Sequence, residues 1–325
     1  MEIPPVVLAP LAGGPSTPQL AAAVAEAGGL GFVAAGYLTP DAFGAQLRRA
    51  RELTRGVLGA NLFVLEETPV DNAAVAAYAR RLASEGLELG EPRFDDDWFE
   101  EKLELALTGG AEVISTTFAP PPLALVTAAR AAGLQVWATV ASAADARLSA
   151  EAGADALVVQ GAEAGGHRAS FVDGDDETDL PLLELLTAVR GAVDLPLVAA
   201  GGLGDRAAAG AARAAGAVAV QAGTAFLRCP EAGTSEPHRR ALAQRGETAV
   251  TRAFTGRRAR GIVNAFMRDH PDAPPAYPHV HHLTAPFRAA ARAAGDAERI
   301  NLWAGTAFAG AQARPAREVV AELSP

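Results

Sequence analysis

The chain has 325 residues, half of them hydrophobic and one-fifth charged, enough apolar content to bury a large core and too much for a disordered tail. A net charge of −10 argues against nucleic acid or an anionic membrane as partner, since either needs a basic face. The single cysteine, Cys229, excludes an internal disulfide and a cysteine-based zinc or iron–sulfur site, and it fits a reducing compartment.

In chain order, residues 6–10 read as a buried strand and 11–18 as a loop. Thr17 as N-cap with Pro18 at the first helical position starts a helix over 19–27. Strand 31–35, helix 40–54 and strand 56–64 follow, then helical stretches at 70–89 and 97–107 and a fourth strand at 112–118. Strands at 135–140, 156–161, 196–201 and 217–226 alternate with alanine-rich helices. Eight strand–helix pairs predict a closed α/β barrel of the (β/α)8, or TIM, type. An open doubly wound sheet would want Gly-x-Gly-x-x-Gly after its first strand, and Gly13-Gly14-Pro15 does not supply it. Past residue 230 the rhythm breaks into helices at 236–246, 257–267 and 287–294 around a proline-rich loop at 271–278. The expected organisation is a barrel over 1–230 and 301–325, closed by a helix at 316–323, with a mostly helical lobe at 231–300 over the mouth. Met-Glu-Ile-Pro-Pro shows neither part of a signal peptide and no apolar run approaches a membrane span, so a soluble cytoplasmic protein is expected.

Chemistry-bearing residues gather where the predicted strands end. Leu157-Val158-Val159 runs into Gln160, and Gly165-Gly166 then sets His167 on a loop at the strand's carboxyl end, the edge where barrels place their sites. Gly201-Gly202 and Gln221-Ala222-Gly223-Thr224 end the last two strands, where backbone amides commonly hold a phosphate. Asn61 and Gln160 either reach into the mouth, where an amide suits the edge of a flavin, or satisfy loop backbone.

Other features read as structural. Lys102, the only lysine, lies among Glu100, Glu101 and Glu104 on an expected helix surface, which speaks against Schiff-base chemistry. His279, His281 and His282 lack further ligands at metal spacing and are expected on an exposed, proline-flanked segment, so no metal is expected. The acidic run from Asp173 to Asp179 lacks calcium-loop spacing and is expected as a solvated loop. Arg257, Arg258 and Arg260 either attract an anion or coat a helix.

Taken together, Ala9-Pro10-Leu11-Ala12-Gly13-Gly14-Pro15-Ser16-Thr17, Gly59-Ala60-Asn61-Leu62-Phe63, Gln160 through Arg168, Ala199-Ala200-Gly201-Gly202 and Gln221-Ala222-Gly223-Thr224 resemble the nitronate monooxygenase family, formerly 2-nitropropane dioxygenases. Arg252-Ala253-Phe254-Thr255-Gly256-Arg257 and Leu302-Trp303-Ala304-Gly305 extend the likeness over nearly the whole chain. Ala169 and Thr306 depart from it, standing where glycine and glutamine are usual, and the second bears on substrate preference. The resemblance implies non-covalent FMN bound by Pro10, Leu11 and Ala12, by Asn61, Gln160, Gly165 and Gly166, and by Gly201, Gly202, Gln221, Ala222, Gly223 and Thr224. It implies His167 as catalytic base, and oxidation of alkyl nitronates or nitroalkanes by O2 to a carbonyl compound and nitrite. A reductase of the enoyl-acyl-carrier-protein or quinone type, using FMN and NAD(P)H, is the alternative, and a flavin-binding scaffold without turnover is a third. The oligomeric state stays open, with a homodimer one option.

Overall fold

The computed structural model describes residues 1–174, 179–244 and 246–325, and eight parallel strands close into a barrel. Strand β1 (Val6–Leu8) leads to α1 (Pro18–Glu26), and the alternation continues with β2 (Leu30–Ala34), α2 (Pro40–Leu53) and β3 (Val57–Phe63). Two helices, α3 (Asn72–Ser84) and α4 (Phe99–Thr108), precede β4 (Val113–Thr117), α5 (Leu123–Ala131), β5 (Gln135–Val140), α6 (Ala143–Ala152) and β6 (Ala156–Gln160). A two-residue strand β7 (Gly166–His167) stands before α7 (Leu182–Arg190), β8 (Leu197–Ala200), α8 (Arg206–Ala214) and β9 (Ala219–Ala222). The barrel order is β1-β2-β3-β4-β5-β6-β8-β9, and β9 closes on β1 with Gln221 opposite Val7.

The local causes are short-range. Thr17 Oγ1 accepts the amide of Leu20 at 3.0 Å while Pro18 opens α1, and Thr39 with Pro40 repeats the device at α2. Every residue of β1 and β2 is buried, because both faces of the sheet are covered. Inside the barrel Phe32 meets Trp137 edge to face at 6.0 Å, within a cluster that includes Val7, Val113 and Val198. The interior is packed, which leaves the mouth as the place for a ligand.

Several expectations are corrected. The eighth barrel strand stops at Ala222, where Gly223 turns the chain into a 3-10 turn over Thr224–Phe226. After α9 (Glu236–Leu242) come two strands, β10 (Thr248–Thr251) and β11 (Ala259–Ile262), so the helix expected over 257–267 is absent apart from the short α10 (Ala265–Asp269). The reason is tertiary: β11 pairs antiparallel with β10 on one side and with β7 on the other, Ala259 lying opposite His167. His167 therefore sits in a strand and not on the free loop expected.

Helix α11 (His279–Ala294) starts eight residues before the expected helix at 287–294 and contains Pro286. One turn before that proline the amide of Gly90 donates to Leu283 O at 2.9 Å, taking up a carbonyl close to it. The closing helix, α12 (Ala316–Leu323), lies where the sequence placed it.

Lys102 is not on the surface. It is 1% exposed and pairs with Asp97 at 2.8 Å, because α4 turns Glu100, Glu101 and Glu104 outward and Lys102, Leu103 and Ala106 inward. Among the described residues no helix is long and apolar enough to cross a membrane.

Candidate active site

A cavity of about 570 Å3 opens at the carboxyl ends of the strands, within the size range of cofactor and substrate sites. Its floor is the barrel mouth: Pro10, Leu11 and Ala12 after β1, Asn61 in β3, Gln160 at the end of β6, Gly201-Gly202 after β8 and Gln221 through Thr224 at β9. Its roof is α11, which presents His281, Ala285, Arg288 and Arg292 at helical spacing. Gly165, Gly166 and His167 form one wall, so the sequence-derived site residues all line a single cavity.

The loop that carries His167 is stitched from both ends. Gln160 Nε2 donates to His167 O at 3.0 Å, and its Oε1 accepts the amide of Ala169 at 2.9 Å. That amide is spent on loop backbone. Arg168, fully buried, donates to Gly161 O at 2.8 Å and Gln160 O at 3.1 Å, and its Nε reaches Asp179 at 3.2 Å. At Gly165 a Cβ would lie 2.4 Å from the carbonyl carbon of Ala304 and the nitrogen of Gly305, so the 304–305 backbone demands glycine there. Gly201 and Gly202, with φ of 115° and 69°, take the left-handed turn that lifts the chain off β8.

His167 is half-buried and aromatic-walled. Its ring centroid lies 5.6 Å from Tyr277, 5.6 Å from Trp303 and 5.9 Å from Phe118. Nε2 is 2.9 Å from Thr255 Oγ1, which itself lies 3.3 Å from Arg257 O. Burial, reinforced by the positive charges of Arg257 and Arg288, pushes its pKa down to about 3. The ring is therefore neutral across the working range.

The arginines of 257–260 coat no helix. Arg257 is buried, stacks its guanidinium 4.1 Å from the centre of the Phe118 ring and donates to Arg168 O at 3.1 Å. Arg258 pairs with Asp173 and Asp179, and Arg252 also pairs with Asp173, so those two acids are ion-paired instead of solvated. Asp175, Asp176 and Glu177 of the same run lie outside the described residues.

The histidine trio is split and helical. His281 stacks on Tyr37 at 4.1 Å and faces the cavity, while His282 pairs with Asp95 at 2.8 Å. Thr306 is exposed and does not line the cavity; its amide donates to Glu163 O at 3.0 Å.

Asn61 is buried, its Nδ2 donating to Ser115 Oγ at 2.8 Å and Thr117 Oγ1 at 3.1 Å. Gln221, also buried, has an Oε1 with no hydrogen-bond partner among the described residues, an acceptor left for a ligand. Thr224 Oγ1 accepts the amide of Gly305 at 2.9 Å, which leaves its hydroxyl hydrogen available.

Sequence reasoning missed Tyr37, Phe118, Tyr277, Arg288 and Trp303. Arg288 is buried, bonding Thr284 at 3.0 Å, Asn301 at 3.3 Å and His281 O at 2.9 Å. The signal that could have found the roof is the spacing of 281, 285, 288 and 292, which requires a helix starting at 279.

The family model for nitronate monooxygenase matches residues 1–325. A probable nitronate monooxygenase of Bacillus subtilis strain 168 is 35% identical over 93% of this chain and 89% of its own length. One from Staphylococcus aureus strain Newman is 33% identical over 98% of this chain and 93% of its own. Among solved structures, nitroalkane oxidase from Streptomyces ansochromogenes superposes with a TM-score of 0.95 at 46% identity, covering 98% of this chain and 94% of that one. FabK from Thermotoga maritima superposes with a TM-score of 0.76 at 25% identity, covering 99% and 92%.

Proposed function

The chain belongs to the nitronate monooxygenase family, a flavin-dependent family of oxidoreductases, and from that membership we propose that it binds FMN at the barrel mouth and uses O2 to oxidise alkyl nitronates and nitroalkanes. The observation that carries the reading is that His167, the unpartnered Gln221 acceptor and the glycine turns at 201–202 and 223 open on one cavity. These residues fit the cofactor. Gly202, Gly223 and the Thr224 hydroxyl would hold its phosphate, Gln221 and Asn61 its polar ring edge, and Pro10-Leu11-Ala12 with Gly165-Gly166 its faces. When bound, FMN supplies electron transfer from substrate to O2.

The chain's own contribution is proton removal and electrostatics. Thr255 lies between an imidazole nitrogen and the carbonyl of Arg257, which can only accept. If the hydroxyl donates to that carbonyl it receives the Nε2 proton of His167, and Nδ1 is left bare as the base. A ring held near pKa 3 is a weak base on its own. Taking the proton from the carbon beside a nitro group creates an anion next to the imidazolium, and that opposite charge raises the ring's affinity for the proton. Arg288, whose charge reaches His167, favours the same anion. The expected products are a carbonyl compound and nitrite. Trp303, Phe118 and Tyr277 keep water from the reacting carbon.

The test is cofactor release. The purified protein is expected to be yellow and to release FMN on denaturation, and Gly223→Asp is expected to lose it by placing an anion where the phosphate sits. A colourless protein that takes up no FMN contradicts the reading.

A further inference from the structure

Two tyrosines from distant parts of the chain meet at the cavity wall. Tyr37, after β2, and Tyr277, before α11, have hydroxyl oxygens 3.2 Å apart. Tyr37 lines the main cavity and also a second one of about 200 Å3, which Tyr277 lines with it. Among the described residues neither hydroxyl has another partner. Two phenols carry two hydrogens and their mutual bond uses one, so one donor is left over. Burial raises the pKa of both, Tyr37 to about 12, and the hydroxyls stay protonated.

The backbone that carries Tyr37 is strained and clamped. The non-glycine residues with positive φ among the described ones are Tyr37 at 67°, Asp97 at 58°, Trp98 at 52° and Phe118 at 85°, and all of them line one of the two cavities. Bulky side chains persist in that region only where their surroundings hold them. The clamp here is Asp97, whose Oδ1 accepts the amide of Tyr37 at 3.0 Å while its Oδ2 pairs with Lys102 at 2.8 Å. Both partners are buried, and a chain that otherwise uses arginine places its one lysine here. A buried ion pair is seldom more stabilising than apolar residues of the same size, so what this one supplies is geometry.

We propose that the Tyr37–Tyr277 hydroxyl pair binds an oxygen of the substrate's nitro or nitronate group, and that Asp97 and Lys102 are its positioning residues. This rests on the reaction proposed above and deepens it.

The test uses the flavin-loaded enzyme and nitrate, a planar oxyanion with no hydrogen to surrender, its binding read from the flavin absorption spectrum without turnover. Tyr37→Phe, which removes the hydroxyl that lines the main cavity, should raise the Kd for nitrate about 10- to 100-fold, the loss of a hydrogen bond to a charged acceptor, and Tyr277→Phe, which leaves Tyr37 its hydrogen but takes away the oxygen that orients it, should raise it less. KM for propan-2-nitronate should rise alike with kcat little changed, the mark of binding lost equally from ground and transition states. Asp97→Ala should reproduce the effect, and Asp97→Asn, which keeps an acceptor for the Tyr37 amide, should restore binding. Lys102→Met added to Tyr37→Phe should weaken nitrate no further, a non-additivity that a merely structural role does not produce. Hydroxyl-dependent nitrate binding in an enzyme that oxidises no nitronate keeps the binding site and removes the reaction instead. A wild-type enzyme blind to nitrate, phenylalanine variants with wild-type Kd and KM, or an Asp97→Ala variant that binds normally overturns the assignment.

Discussion

His167 is held by Thr255 on one nitrogen and by three aromatic rings around it, and these contacts set what it does at a given pH. Removing it as base should cost about 10²- to 10⁴-fold, so His167→Ala should lose that much turnover on neutral nitroalkanes while retaining FMN. A nitronate arrives already deprotonated, and its oxidation should fall much less; equal losses on both substrates would remove His167 from the role of base. The depressed pKa adds a second expectation. Between about 6.5 and 3 the unfolded chain holds a proton on this ring that the native chain does not, so stability rises with pH across that window and levels off above it. In the same way, kcat/KM on a nitroalkane should show no acid-side break near 6.5 that belongs to the enzyme, and a break there would contradict the buried, neutral ring. His167 was legible because Gly-Gly-His follows a short apolar run. Lys102 was misread although the helical period already separates it from Glu100, Glu101 and Glu104. Tyr37 and Tyr277 were illegible, because their pairing spans 240 positions and local pattern carries no trace of it.

The element that fixes the site is the small sheet in which β11 joins β10 to β7. It ties the segment beyond the barrel to the loop that bears His167, through a register that sets Ala259 opposite His167 and Arg260 opposite Gly166. An arginine- and alanine-rich stretch at 257–267 has no local preference strong enough to announce a strand, so pairing decides it. The same loop is held against residues 304–305 at Gly165. Gly165→Ala would drive a Cβ to 2.4 Å from that backbone, and the expected outcome is a loss of about 1–3 kcal/mol in urea unfolding together with reduced nitroalkane turnover. An alanine variant of unchanged stability and activity would show that the loop has slack that this contact denies. Helix α11 was half legible: its second half read as helix, while Pro278 and Pro286 concealed the first, which supplies His281 and Ala285 to the roof.

At the scale of the whole molecule the barrel was legible throughout, because eight apolar runs punctuated by glycines and helix caps leave few other ways to bury both faces of each strand. The barrel's parallel order then brings strand ends that are far apart in sequence to one mouth, and the candidate site follows from topology more than from any one motif. What the chain reacts with is decided there too. Lacking a separate dinucleotide fingerprint, the protein is expected to accept electrons poorly from NADH or NADPH. The most direct measurement is therefore oxygen uptake by the FMN-loaded protein given propan-2-nitronate, run beside anaerobic mixing with NADH and with NADPH. The prediction is sustained oxygen consumption with the nitronate and little or no bleaching of the flavin by either nicotinamide; rapid stoichiometric bleaching by NADH or NADPH, with no oxygen uptake on the nitronate, would contradict it.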